Sequence, residues 1–434
     1  MDHNLKELLN KASVALFTRI AAAFVTFLLN LVFARTLGAE EAGKYFLALS
    51  VLMVFATVGK AGLENSVVKF TSFFAAKEDW NKLKGLVKSS LLVAIVFSSV
   101  AILLMFFSSG YLANDIFNKN DLLKPLHIMT LAIFPMVVFT IFASTSRGLK
   151  KIFVAQFFNS LSLPLFTLLI YYIFIGRFHL QYAVISYLLA TLLTAILSVL
   201  VWRLRLFKYR GSLQHFSFRN LLESSMPLLL ITLVSLLMNH APTIIMGRFS
   251  TSTEIGIYNV ALRISLLTTF ILLAVNSIAA PQFAELFKTK ELEKLESLAV
   301  AASNVLVVTT VPLCIVIFLF PKFILGLFGN EFLSGAAILI ILTIGQLINV
   351  STGSVGTLLM MTNNERTLRN NVIATSVLSV GLAFFLIREY SMFGAAIAYA
   401  LSVIILNINS SILVRLRLGF WVFPFKHLKL LHVK

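Results

Sequence analysis

The stretch Ala34-Arg-Thr-Leu-Gly-Ala-Glu-Glu-Ala-Gly-Lys-Tyr45 returns some 213 residues later as Gly247-Arg-Phe-Ser-Thr-Ser-Thr-Glu-Ile-Gly-Ile-Tyr258. Superposed, Arg35 meets Arg248, Glu41 meets Glu254, Gly43 meets Gly256 and Tyr45 meets Tyr258. A second echo, Trp202-Arg-Leu-Arg205 against Val414-Arg-Leu-Arg417, has nearly the same offset. Two echoes at one period indicate a duplication, and internal duplication is a common way to build membrane transporters. The chain therefore divides into a first half, 1–210, a linker, 211–222, and a second half, 223–434, ending in a basic tail.

The material between the repeats is apolar. Of 434 residues 59% are hydrophobic and only 12% are charged, against about 25% charged in a soluble domain. This composition predicts an all-α polytopic membrane protein. Apolar windows of about 20 residues, the length of a helical crossing, number about twelve, six in each half. The first and second spans cover about 14–34 and 44–66. The single cysteine, Cys314, excludes an intrachain disulfide or a multi-cysteine metal centre.

The net charge of +18 raises the possibility of a nucleic-acid partner. Loop topology accounts for it better. With alternate loops assigned to opposite sides, 25 of the 36 Lys and Arg fall on the side of the two termini. Basic loops stay in the cytoplasm, so both termini are expected to be cytoplasmic, and no nucleic acid is needed. With an even number of spans per half, the halves are parallel repeats about an axis along the membrane normal. The tail beyond Arg417 mixes aromatic and basic residues, including Trp421, Lys426 and Lys429. That pattern suits anionic membrane lipids.

Charges inside a span are costly and usually face a bundle interior or a wet cavity. Arg19 lies in the first span, Lys60 and Glu64 in the second, and Arg263 in the eighth. Arg19, Lys60 and Arg263 together suggest a cationic cavity for an anionic headgroup such as a diphosphate, because guanidinium forks match phosphate oxygens. Glu64 is placed for coupling or for pairing with Lys60 at i, i+4. A purely structural reading keeps that pair and lets Arg19 and Arg263 snorkel to an interface. All four aspartates lie outside the predicted spans. A pump for organic cations would need buried carboxylates, so the balance favours an anionic cargo. Asn30, Asn239, His240 and Asn276 are candidate sugar contacts, against a competing role in bonding helix to helix. His240 precedes Pro242, where a broken helix would line a cavity. No phosphate-binding glycine loop, metal-spaced histidine pair or nucleophile triad is present, so no cofactor, metal or enzymatic activity is expected.

Several of these segments carry a family resemblance. Ala34-Arg-Thr-Leu-Gly38 followed by Ala42-Gly-Lys-Tyr45, then Gly59-Lys-Ala-Gly-Leu63 with Lys69-Phe70, Pro281, and Gly394-Ala-Ala396 are together similar to the Wzx-type polysaccharide (O-antigen) flippases. Those belong to the multidrug/oligosaccharidyl-lipid/polysaccharide exporter superfamily. The resemblance implies a V-shaped pair of six-helix bundles with a central cavity. It also implies translocation of undecaprenyl-diphosphate-linked oligosaccharide units across the bacterial inner membrane by alternating access. A polysaccharide polymerase and a chain-length regulator would be pathway partners. Two rivals remain. A cation-coupled multidrug exporter of the same superfamily requires carboxylates in the first span, which has none. A membrane-embedded polymerase or ligase requires a substantial external loop, which the short connections do not provide.

Overall fold

The computed structural model describes residues 3–174, 179–206, 214 and 216–424, with the backbone alone for 3–16 and 205–206. The expected basic tail from residue 425 onward lies outside the described residues. Every regular element among the described residues is helical. Among the described residues nine helical segments are long and apolar enough to cross a membrane, and Asn120–Thr130 with Ile133–Gly148, bent by 41°, supplies a tenth.

Two of the ten segments fold back on themselves. The helix α1 (His3–Lys60) is interrupted at Gly38, with φ 73° and ψ 176°. Twelve residues of unbroken helix would rise about 18 Å, yet the rings of Phe33 and Tyr45 are 4.9 Å apart. The second case lies near the end of the described chain, in Glu365–Leu418, interrupted at Ser391. There a methyl group on Gly394 would fall 2.0 Å from the carbonyl oxygen of Leu386, although eight helical residues span about 12 Å. Each long segment is thus a hairpin of two crossings, and the architecture is consistent with twelve spans.

After α1 come α2 (Leu63–Ala76), α3 (Trp80–Tyr111), α4 (Leu123–Thr130), α5 (Ile133–Gly148), α6 (Ile152–Gln156), α7 (Ser162–Ile173), α8 (Leu180–Val201) and α9 (Phe218–Phe249). They continue with α10 (Ser252–Ser265), α11 (Thr268–Lys288), α12 (Leu292–Leu319), α13 (Pro321–Gly326), α14 (Ala336–Ser351), α15 (Val355–Met361) and α16 (Glu365–Leu418). The chain forms two compact units, Met1–Leu236 and Leu237–Lys434. The first unit takes the start of α9 because of a close contact at the α1–α2 turn. Gly62 has φ +68°, and a Cβ there would lie 2.2 Å from the Ser225 carbonyl oxygen. One turn along, the hydroxyls of Ser66 and Ser224 are hydrogen-bonded at 3.2 Å.

Inside each unit the packing follows membrane rather than aqueous rules. Large apolar side chains such as Phe107 and Phe385 point outward, while Ser and Thr are numerous among the buried residues. Small residues let helices approach where lipid gives no hydrophobic drive for association. A Cβ on Gly345 of α14, for example, would meet the Ala400 backbone of α16 at 3.0 Å. The buried hydroxyls largely satisfy themselves on their own helix. Thr140 donates to Met136 and Thr145 to Ile141, at 2.7 and 2.8 Å.

The repeated motif forms the corner between the first two spans of each unit, by two different local devices at one register. In the first copy the chain turns at Gly38, using a positive φ that only glycine adopts easily. In the second the equivalent position is Thr251, the N-cap of α10 in a capping box with Glu254. The motif glutamates then make matching long-range bonds. Glu41 accepts from the backbone N–H of Leu180, at the start of α8, at 3.0 Å. Glu254 accepts from the hydroxyl of Ser391, in the break of α16, at 2.8 Å. Each carboxylate ties the first corner of its unit to the turn before the last span. Lys44 reinforces the first corner by reaching both Glu40 and Asp121, at 2.9 and 3.2 Å. Glu41→Ala and Glu254→Ala should each lower stability by about 1–2 kcal/mol, the usual cost of a lost cap or charged hydrogen bond. Thermal unfolding of the detergent-solubilised full chain would show it, with Glu293→Ala on an exposed helical face as the unaffected control.

Candidate functional site

The second span of each unit carries intramembrane charge. In the first unit the second span is broken. Helix α1 ends at Lys60, Ala61 and Gly62 take positive φ of 49° and 68°, and α2 begins at Leu63. Lys60 therefore sits in the last turn of one helix and Glu64 in the first turn of the next. Both positions are electrostatically favourable, a cation at the carbonyl end of a helix and an anion at the amide end. Their side chains bridge the break, with Lys60 Nζ 2.7 Å from Glu64 Oε1. Arg147, in the last turn of α5, adds a second positive charge that acts on Glu64.

The second unit also carries a cation in its second span. That span stays helical through Leu266–Leu267, where a tighter turn joins α10 to α11 with right-handed helical dihedrals, and Arg263 lies in the last turn of α10. His240 of α9 lies within electrostatic reach of Arg263. Interrupted spans whose helix ends carry or receive charge are a recurrent way to hold ions and polar cargo at membrane depth. The break at Ala61–Gly62 was not anticipated, although Gly59-Lys-Ala-Gly62 is a signal for it.

The other candidates separate into satisfied and available groups. Arg19 is half-buried beside buried Thr18 and outward-facing Phe17. Asn30 is buried, and its amide donates one hydrogen bond to the Thr26 carbonyl oxygen of its own helix, at 2.6 Å. Asn239 is exposed, and His240 half-buried. Asn276 presents a buried amide oxygen with no hydrogen-bond partner among the described residues. The helix break expected at Pro242 is absent. α9 is a single helix from Phe218 to Phe249, because a kink at proline is an option that neighbouring helices can suppress. The tenth span is broken instead, at Gly353 with φ +74°, between α14 and α15.

A polar cluster lies deep in the second unit, around Gln346 and Asn349, two polar residues of the predicted spans. Tyr399 hydrogen-bonds Gln346, whose side-chain oxygen also accepts from Asn349 at 3.0 Å. Close by, the Tyr258 hydroxyl is fully buried and has no hydrogen-bond partner among the described residues. Its position in the repeated motif was visible in the sequence, but its depth was not.

Comparison with known proteins now has a geometry to meet. Residues 8–287 match the model of a family described as polysaccharide biosynthesis protein. The chain belongs to that family. A relative from Haloferax volcanii, named as a probable low-salt glycan biosynthesis flippase, Agl15, is 25% identical over 404 residues, covering 91% of this chain and 81% of the relative. Among solved structures, the inward-facing conformation of a multidrug resistance transporter of the MATE family, in the MOP superfamily, is similar with a TM-score of 0.76. It shares 14% identity, over 93% of this chain and 98% of that one. The lipid II flippase MurJ, in an inward closed conformation, also gives 0.76, at 16% identity over 94% and 87%. These likenesses establish the fold, which is that of the MATE-family transporter and of MurJ.

The Lys60–Glu64 bridge has a testable signature. Lys60→Met alone strands a half-buried carboxylate and should cost about 1.5–3 kcal/mol. Lys60→Met with Glu64→Leu should recover most of that loss, since removing both partners leaves no unpaired charge. A double-mutant cycle in thermal unfolding measures the coupling directly. Additive losses would mean that the two side chains do not act as a pair.

Proposed function

We propose that this protein is a flippase that carries lipid-linked oligosaccharide units across a membrane by alternating access. The finer reading is an undecaprenyl-diphosphate carrier lipid, an O-antigen-type glycan and a bacterial inner membrane with both termini in the cytoplasm. The observation that carries it is the placement of span-embedded cations. Lys60 closes a helix at the interruption of the second span of the first unit, Arg263 lies within the second span of the second unit, and Arg19 is half-buried on the first span. Membership of the polysaccharide biosynthesis family and the name of the haloarchaeal relative support a glycan cargo. Phosphate oxygens are the natural partners of such guanidinium and ammonium groups. Asn276, His240 and Asn239 of the second unit supply polar groups for sugar hydroxyls.

Carboxylates weigh against a drug-exporter reading. Glu64 is the only acidic residue inside the expected first and second spans, and it is occupied by Lys60. The role of Glu64 in this proposal is to hold Lys60 in place until the anionic cargo competes for it.

The test is flipping of a fluorescent polyprenyl-diphosphate oligosaccharide in proteoliposomes. Arg19→Ala with Arg263→Ala removes two charged contacts, each worth about 1.5–3 kcal/mol. At 1.4 kcal/mol per tenfold, the rate at low substrate should fall at least tenfold. Undiminished flipping by a stably folded double variant would remove the cationic-site reading. Failure of the wild-type protein to flip any lipid-linked glycan would remove the flippase reading itself.

A further inference from the structure

The first unit holds a cavity whose lining includes none of Arg19, Lys60 and Glu64. It measures about 560 Å³ and is lined by α3, α5, α8 and the π-helical turn Trp202–Leu206. That volume falls within the range of about 300–1,000 Å³ typical of small-molecule sites. The α3 wall consists of Lys84, Val87, Lys88 and Leu91, spaced i, i+3, i+4, i+7 along one helical face. The adjacent face is covered by the chain that follows the first half. Ser89 donates to the Phe216 carbonyl oxygen at 2.9 Å, and a Cβ on Gly85 would lie 1.8 Å from the Gln214 carbonyl oxygen. This strap holds α3 by one face and leaves the next facing the cavity.

The lining has two chemistries. Val138 and Phe142 of α5, Val199 of α8, and Trp202 make apolar walls, with Trp202 and Phe142 ring centroids 5.9 Å apart. Among the described residues, Lys84, Lys88 and Arg203 supply three cations to the lining and no carboxylate is present. Lys88 and Arg203 are exposed, Lys84 half-buried. An occupant must offer an apolar body and an anionic head. Tryptophan and basic residues together mark the level of lipid headgroups, and basic pockets between spans bind anionic headgroups.

The second repeat gives an internal comparison. Where the first repeat has Trp202, the second has Val414, which is fully buried in an apolar cluster with Phe283, Leu295 and Leu358. That cluster is filled by Phe420 and Val422 from the chain after α16. One copy of the motif closes with the protein's own side chains, and the other leaves a cavity ringed by cations.

We infer that this cavity is a regulatory or structural site for an anionic glycerophospholipid, with an acyl chain among Val138, Phe142, Val199 and Trp202 and the headgroup phosphate on Lys88 and Arg203. This goes beyond the proposed cargo and requires only that the chain spans a membrane. The test uses the purified full-length protein in detergent, with phosphatidylglycerol or phosphatidylcholine of matched chains added, read by native mass spectrometry and thermal shift. Phosphatidylglycerol should bind at least tenfold more tightly than phosphatidylcholine. Lys88→Ser with Arg203→Ser should abolish that preference, and Val138→Trp, which fills the cavity, should weaken both lipids. Equal binding of the two lipids by the wild type would overturn the inference. So would a preference that survives Lys88→Ser with Arg203→Ser but is lost on truncation after Pro424, which would place the lipid on the basic tail. Displacement of phosphatidylglycerol by equimolar undecaprenyl diphosphate would identify the occupant as cargo and overturn the assignment to a bulk phospholipid.

Discussion

A backbone amide or carbonyl left unpaired in hydrocarbon costs several kcal/mol, so a chain crossing a bilayer must remain helical or supply substitutes wherever it does not. Most of what distinguishes this protein occurs at such departures. At Gly38 and Ser391 the chain reverses between spans; at Ala61–Gly62 and Gly353 it breaks a span. Polar groups gather at two of these departures, Glu254 at Ser391 and Lys60 with Glu64 at Ala61–Gly62. Lys60 and Glu64 are placed at helix ends, where exposed peptide dipoles offset part of the cost of burying them.

The buried interior mixes large apolar side chains with many hydroxyls and small residues. Lipid tails are as apolar as leucine, so helices gain little by burying leucine against each other and more by close approach. Contacts such as Gly345 against Ala400 set those distances. Thr140 and Thr145 show how a hydroxyl can be accommodated there, by returning its proton to the helix that carries it. The polar cluster of Tyr399, Gln346 and Asn349 is built differently, linking side chains, and beside it the Tyr258 hydroxyl has no hydrogen-bond partner among the described residues.

Much of the fold was legible in the sequence because hydropathy and repetition are global signals. The twelve apolar windows and the corner motif needed only spacing and composition. What stayed hidden is local. Pro242 looked like a helix breaker but sits within continuous α9. Tertiary packing decides that, and no single-residue preference reports it. Candidate site residues suffered in the same way. Asn30 resembles Asn276 by type and depth, yet one donates a hydrogen bond to Thr26 and the other keeps a buried oxygen without a partner among the described residues. The Trp202 segment stood out as a repeat, but only its companions across the cavity gave it a chemistry.

The bond between Glu254 and Ser391 joins parts of the chain 137 residues apart. Ser391 holds a φ of 47° that its side chain would otherwise avoid, and Ser250 shares its hydroxyl at 2.8 Å. Neither position is at liberty to drift alone. A lineage that lost the acid at 254 would leave the turn at 391 without its anchor, and one that lost the hydroxyl would leave a carboxylate short of a donor. Inheritance across such a lineage is therefore a matter of paired replacement, with serine and glutamate exchanged together or kept together.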